Sequence, residues 1–333
     1  MRVDVNTDVQ QVVESIKDRN FTNIFLVACG GSLSIMYPAK YFCDRNFNTI
    51  DSDLYNADEF ICRSPRKLGA NALVILCSQT GTTRETVAAA KFAREKGATT
   101  IVMTLDGSSA LAREGEFVLS YNAPYTTGLE IDPYESNYAV LYMLLGSLLA
   151  QRENVDLTGK LLASLGNLPA VTAKAKQSFA PMFAEFAQRF HDKNVIYTTG
   201  SGCNYGAAYS FAICVLMEMQ WINSQAIHAN EFFHGPFEVV DENTCFISLI
   251  GMDETRRLEE RNREFLNRFG NSKNIMVLDA AELDLEGIDP EFQGYLVPLI
   301  FFDALWVFVY QLAELRGQIM LDGRRYMKKI FDY

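Results

Sequence analysis

The sequence predicts an α/β chain of two tandem domains, each a mostly parallel sheet flanked by helices in three layers (αβα). Two observations carry this. Short runs that are apolar throughout, such as Asn23–Cys29 and Leu73–Cys77, each lead into a polar Gly/Ser/Thr turn and then a helix-like segment. A strand without polar alternation is covered on both faces, as in a parallel sheet, and strand–turn–helix is the unit that builds one. The plan then recurs in the second half, where Asn194–Thr198 leads into Gly200-Ser-Gly-Cys-Asn-Tyr-Gly206. The period is far too long for a solenoid and reads as a duplicated domain.

In chain order, residues 7–19 read as a helix capped by Thr7 or Asp8. The first strand is followed by the turn Gly30-Gly-Ser-Leu-Ser34 and a helix over 35–42. The strand 73–77 is followed by the polar turn 78–86 and a helix over 87–95, stopped at Gly97. Strands are expected at 100–104 and 116–120, and a long helix at 135–149. The segment 151–170 begins polar and then carries Gly and Pro, so the domain boundary is placed there. The expected division is a first domain over 1–155, a second over 156–320 and a tail over 321–333. In the second domain, helices are expected at 171–190, from Ala207 to about Gln220, and at 256–269. Strands are expected at 194–198, 244–250 and 274–278. Tyr295–Leu315 is apolar but interrupted by Pro298, Asp303 and Gln311, and reads as a buried helix rather than a membrane span.

Composition narrows the class. A chain of 333 residues suits two domains, and 49% hydrophobic residues permit a large core. A net charge of −11 argues against nucleic acid as a partner, although a local site for an anionic small molecule is compatible with it. The seven cysteines are scattered without a CxxC pair, so neither a zinc site nor a disulfide framework is indicated. That usage fits a reducing cytoplasm. The polar N-terminal segment has the pattern of neither a signal peptide nor a membrane anchor.

Four stretches carry candidate chemistry. Ser78-Gln-Thr-Gly-Thr-Thr83 presents amides and hydroxyls at a helix start, at the carboxyl end of a strand, where phosphate binds well. The plainer reading is a helix cap by Thr82 or Thr83. Cys29-Gly-Gly-Ser32 offers Gly31 for close backbone approach and the Ser32 hydroxyl as a donor, or simply tight strand–helix packing. Glu218 is the one carboxylate in the apolar run Ile213–Ile222. Desolvation raises such a pKa, which suits a general base, and a satisfied buried Glu is the alternative. His228 and His234 flank Glu231 ahead of Gly235-Pro236. Their spacing does not match a zinc motif, so acid/base use ranks above metal and no metal is expected. His191 reads as a surface residue. The tail carries Arg324, Arg325, Lys328 and Lys329 among aromatics, a solvated basic face or a docked cation source for an anionic substrate.

Taken together, CGGS at 29–32, SQTGTT at 78–83 and a Glu followed by NEFFHGPFE at 230–238 resemble the sugar isomerase (SIS) family, over nearly the whole chain. The plan is similar to the isomerase half of glucosamine-6-phosphate synthase, with its CGTS, SQSGET and GELKHGP motifs and the same Glu-to-His spacing (234 − 218 = 16). LMEMQWI, HANEFFHGPFE and the RRYMKK tail more closely resemble bacterial fructosamine 6-phosphate deglycases. The resemblance implies two tandem SIS domains. It implies sugar-phosphate binding by Gly31, Ser32, Ser78, Gln79, Thr80 and Thr83, and catalysis by Glu218, His234 and the tail residue Lys329. Val215 stands where the synthase has a second active-site lysine, which makes amination the less fitting chemistry. The implied enzyme needs no cofactor and acts in the cytoplasm on a small sugar phosphate, without nucleic acid or membrane, as a homodimer or higher oligomer. In this family the loop carrying His234 can serve the partner subunit's site. An aldose–ketose isomerase or deaminase, and a non-catalytic sugar-phosphate sensor, are the rival readings.

Overall fold

The computed structural model describes residues 7–123, 132–326 and 329–330. The chain divides into two compact units, Met1–Asn167 and Leu168–Tyr333. In the first, five parallel strands, β1 (Asn23–Ala28), β2 (Asp51–Asn56), β3 (Ala72–Cys77), β4 (Thr99–Thr104) and β5 (Phe117–Ser120), lie in the order β2-β1-β3-β4-β5. Every residue of β1, β3 and β4 is buried, as their continuous apolar runs require. β2 was not foreseen. Its sequence, DSDLYN, is that of an edge strand with one neighbour and half-exposed side chains, so it carries no apolar signature. The helix Arg84–Glu95 packs Ala89, Ala90 and Ala93 against Val74, Leu76 and Val102. Small residues there let the helix lie close on the sheet.

The second unit has four parallel strands, β6 (Tyr197–Gly200), β7 (Ala226–His228), β8 (Phe246–Ile250) and β9 (Ile275–Asp279), ordered β7-β6-β8-β9. Its first strand runs later than the expected 194–198, because Val195 forms only an isolated bridge to Asn223 and is 42% exposed. The three-residue edge strand β7 was also not foreseen.

The segment 151–170 does contain the division between the units, but it is mostly helical. A helix ends at Glu153 and the next runs from Thr158 to Phe190, with Pro169 and Pro181 inside it. Leu161, Leu165, Val171, Ala175, Phe179, Phe183 and Phe190 are buried at helical spacing along it, which outweighs the ~3 kcal/mol that an interior proline costs. The division between the units, at 167/168, falls inside this helix.

Within unit 2, Phe179 and Phe183 stack on Phe301 and Phe308 of the helix Pro290–Arg316, with ring centroids 6.2 and 6.1 Å apart. That helix is long and apolar enough by composition to cross a membrane, yet 61% of its most apolar window is buried within the protein. Its Asp303 pairs with Lys176 at 2.7 Å. It is a core helix, as its polar interruptions suggested.

Each sheet reverses its strand order beside its first strand, between β1 and β3 and between β6 and β8. Ligands bind at such switch points in open α/β sheets. In unit 2 this crevice is already filled. The Glu259 carboxylate, 1% exposed, accepts from Ser201 N (2.8 Å), Gly251 N (2.6 Å) and Asn204 Nδ2 (3.2 Å). Asp253 accepts from Cys203 N (2.8 Å) and from Thr255 N (2.7 Å). Gly202, in the left-handed region at φ +48°, leaves room for Asp253: a Cβ there would fall 2.5 Å from its Oδ2. Amides that could hold an external anion are thus satisfied from within, and burial pushes Glu259 up to about 7. Glu259→Gln replaces one acceptor oxygen by an NH2 donor facing backbone N–H groups. It should cost unit 2 about 2–4 kcal/mol near pH 5, read from denaturant midpoints. A carboxyl raised above its unfolded value stabilises below that value and loses the contribution as pH rises through 7. The wild-type advantage over the variant should therefore shrink between about pH 4.5 and 7.

Candidate active site

In unit 1, the two turns singled out from the sequence leave the sheet side by side. Ala28 of β1 pairs with Cys77 of β3, so Cys29–Ser32 and Ser78–Thr83 stand together at the switch point. The first is a short helix, Gly30–Ser34, entered through Gly30 at φ +53°. Gly31 is exposed, and the Ser32 hydroxyl hydrogen-bonds the buried Cys77 thiol.

The second turn is tied down by its own carbonyls. Gln79 O accepts from Leu105 N (3.0 Å) and Gly81 O from Leu111 N (2.9 Å). A Cβ on Gly81 would fall 2.1 Å from Ser109 Oγ, and φ is +65°, so the position requires glycine. Ser78 Oγ lies 2.9 Å from Thr83 Oγ1, and Thr80 Oγ1 lies 2.7 Å from Thr82 Oγ1. Thr83 holds the N-cap position of Arg84–Glu95, but its hydroxyl makes no bond to the helix amides. The capping explanation of this turn therefore does not hold. The first-turn amides of this twelve-residue helix receive no side-chain cap from Thr83, and such amides at the positive end of a helix are donors suited to an anion.

In unit 2, the helix expected over 207–220 is α-helical only at Asn204–Ser210. Phe211–Met217 continues it as a π-helix, with Glu218 N donating to Ile213 O and Gln220 N to Val215 O, both at 3.1 Å. Such an insertion rotates the residues after it and recurs at functional sites. Glu218 stands at its end, with its side chain 17% exposed. Trp221 follows in the left-handed region at φ +56°, which costs a bulky residue roughly 1–2 kcal/mol, and its ring is 48% exposed.

The chain leaving Pro290–Arg316 is bound to this turn. Arg316 donates to the carbonyls of His191 (2.5 Å) and Gln220 (3.3 Å), and Gln318 Nε2 donates to Met219 O (3.2 Å). This docking delivers the next segment to Glu218. Arg324 pairs with Glu218 Oε1 at 2.5 Å, and the Arg325 guanidinium lies 4.8 Å over the Trp221 ring. Beside them opens a cavity of about 360 Å³ lined by Met217, Glu218, Trp221, Ile222, Asn223, Arg325 and Tyr326. Burial pushes the Glu218 carboxyl above the usual carboxylate range, and Arg324 draws it part of the way back.

His234 ends the 3-10 turn Glu231–His234, before Gly235 at φ +143°. Phe232 anchors that turn against Phe246 and Phe265, while the His234 ring is exposed and does not line the cavity at Glu218. His228 ends β7, and its Nδ1 accepts from Asn230 N (3.3 Å). No metal-binding group of three His, Cys, Asp or Glu is present among the described residues. His191 is half-buried, its Nδ1 2.7 Å from Gln188 O. Lys329 is exposed and lies outside the cavity, its amide donating to Arg325 O (2.8 Å). Lys328 lies outside the described residues. The tail thus brings Arg324 and Arg325 to Glu218. The signal for them in the sequence was only a basic run with aromatic neighbours, and Trp221 carried none.

Comparison with known proteins agrees with this architecture. The SIS domain model matches residues 16–150. The chain is 48% identical over 326 residues to fructosamine deglycase FrlB of Bacillus subtilis, covering 98% of this chain and 97% of that one. It is 27% identical to the fructoselysine 6-phosphate deglycase of Escherichia coli, covering 98% and 91%. A solved structure from Bacillus subtilis, described provisionally as a phosphosugar isomerase, superposes with a TM-score of 0.94 at 47% identity, covering 98% of each chain. Near-full-length identity, two parallel sheets and the motif-bearing switch point lead to one conclusion: the chain belongs to the sugar isomerase (SIS) family.

Proposed function

We propose that the protein is a fructosamine 6-phosphate deglycase, converting a fructose–amino acid 6-phosphate and water to glucose 6-phosphate and the free amino acid. The observation that carries this is the Glu218–Arg324 pair: a desolvated carboxylate held ionisable by one guanidinium, on the wall of a cavity. The 48% identity to a fructosamine deglycase supports the same reaction.

In this reading the substrate phosphate binds the amides and hydroxyls of Ser78, Gln79, Thr80 and Thr83, with Gly31 and Ser32 at the sugar. Binding energy gained there is remote from the reacting carbons and holds them in place. His234 assists opening of the ring. Glu218 takes the proton from C1, next to the C2 carbonyl, giving an enaminol. Return of a proton at C2 leaves a Schiff base at C1. Water adds to C1, the C1–N bond breaks, and the amine leaves with a proton. One water is consumed and there is no net change of oxidation state, so positioned acid and base groups suffice for every step.

We assign His234 to the site of a partner subunit in a homodimer. Its exposure, and its position outside the cavity of its own Glu218, support this. Lys329 is assigned to the closing tail. Seven free thiols suit work in a reducing cytoplasm.

Glu218→Gln should abolish glucose 6-phosphate formation while substrate binding, followed by calorimetry, persists. Near-wild-type turnover would sink the mechanism. Arg324→Met removes the group that lowers the Glu218 pKa, so the acidic limb of kcat/KM against pH should move upward. A limb left in place would exclude Glu218 as the titrating base. Mixing the inactive Glu218→Gln and His234→Asn variants should restore activity, because a hybrid dimer regains one intact site if the two residues come from different chains. No recovery in proven hybrids would place both in one chain.

A further inference from the structure

The two adjacent arginines of the tail have different employment. Arg324 is committed to Glu218. The Arg325 guanidinium lies 4.8 Å over the Trp221 ring and has no carboxylate partner among the described residues. Trp221 is held in a left-handed backbone conformation that a bulky residue rarely adopts, with nearly half of its surface in solvent. Such strain persists where the surroundings impose it, and it gathers at ligand sites. A guanidinium stacked on an aromatic face keeps its edge of N–H donors free and in plane, the arrangement that grips a carboxylate with two parallel bonds. The rest of the wall is mixed, with Met217 and Ile222 apolar and Asn223 and Tyr326 polar. On a chain with a net charge of −11, this unpaired cation in a half-apolar cavity is a local feature of that wall.

We propose that Arg325, presented by Trp221, binds the carboxylate of the amino-acid half of the substrate and so sets a preference for adducts of α-amino acids through their α-nitrogen. This rests on the deglycase reading above. In that reading Glu218 faces C1, and C1 carries the nitrogen, so the amino acid must occupy space next to Glu218. In an α-adduct the carboxylate is only the nitrogen and one carbon away from C1. Met217 and Ile222 then face the amino-acid side chain.

The test compares two synthetic substrates that differ only in the carboxylate: the fructose 6-phosphate adducts of glycine and of methylamine. Both carry the same phosphate, so a guanidinium that served the phosphate would affect both alike. Glucose 6-phosphate release is measured for the wild type and for Arg325→Gln. The wild type should prefer the glycine adduct in kcat/KM, and the substitution should reduce that preference by about 10- to 100-fold, the loss expected for a charge-assisted pair. An equal loss on both substrates, or an unchanged preference, would overturn the inference while leaving the deglycase reading standing. Failure of the wild type to release glucose 6-phosphate from either adduct would overturn both.

Discussion

Parallel strands cannot be joined by a tight turn, and this constraint shapes everything else in the chain. Each strand must hand over to a crossover before the next begins. When successive crossovers go to opposite sides of the first strand, two turns part and leave a crevice at the carboxyl ends. The chain makes this arrangement twice, in the orders β2-β1-β3-β4-β5 and β7-β6-β8-β9. The two crevices then differ in how their amides are satisfied. In unit 1, Thr83 turns its hydroxyl to Ser78 and gives the helix start no side-chain cap. In unit 2, Glu259 and Asp253 supply acceptor oxygens from within. One architecture leaves a helix start uncapped in one unit and fills the crevice in the other, according to which side chains follow the strands.

The Glu218 end of unit 2 is built from local irregularity held by tertiary contacts. A regular helix would carry Glu218 round with its apolar neighbours. The π-helical stretch Phe211–Met217 changes that rotation, and the left-handed Trp221 ends the element abruptly. These departures from regular backbone are costly, and the segment leaving the core helix Pro290–Arg316 offsets them. Arg316 and Gln318 donate to the Gln220 and Met219 carbonyls of the turn. The same docking sets Arg324 against Glu218. Burial raises the Glu218 pKa and the Arg324 guanidinium lowers it, so the half-buried pair sets two opposed effects on one carboxyl.

Legibility in the sequence followed burial. Strands buried on both faces, β1, β3, β4, β8 and β9, stood out as apolar runs. The edge strands β2 and β7 have one neighbour and mixed composition, and nothing in DSDLYN or AIH marks them. Pro169 suggested a break that the helix Thr158–Phe190 does not make, because its buried face continues past the proline. In the site, hydroxyl-rich and glycine-marked turns could be read directly, as could a lone carboxylate in an apolar run. Arg324 could not, since it lies 106 residues from Glu218.

By itself, the sequence determined the α/β class, the duplication, the family and the chemical character of the candidate groups. These reside in residue type and short-range spacing, which local physics reads. Only the tertiary structure decided which crevice is filled from within, which cation meets Glu218 and where the tail docks. It also decided that His234 is exposed outside the Glu218 cavity of its own chain. Those outcomes depend on which groups lose water together, and desolvation is a property of the packed chain rather than of any stretch of it.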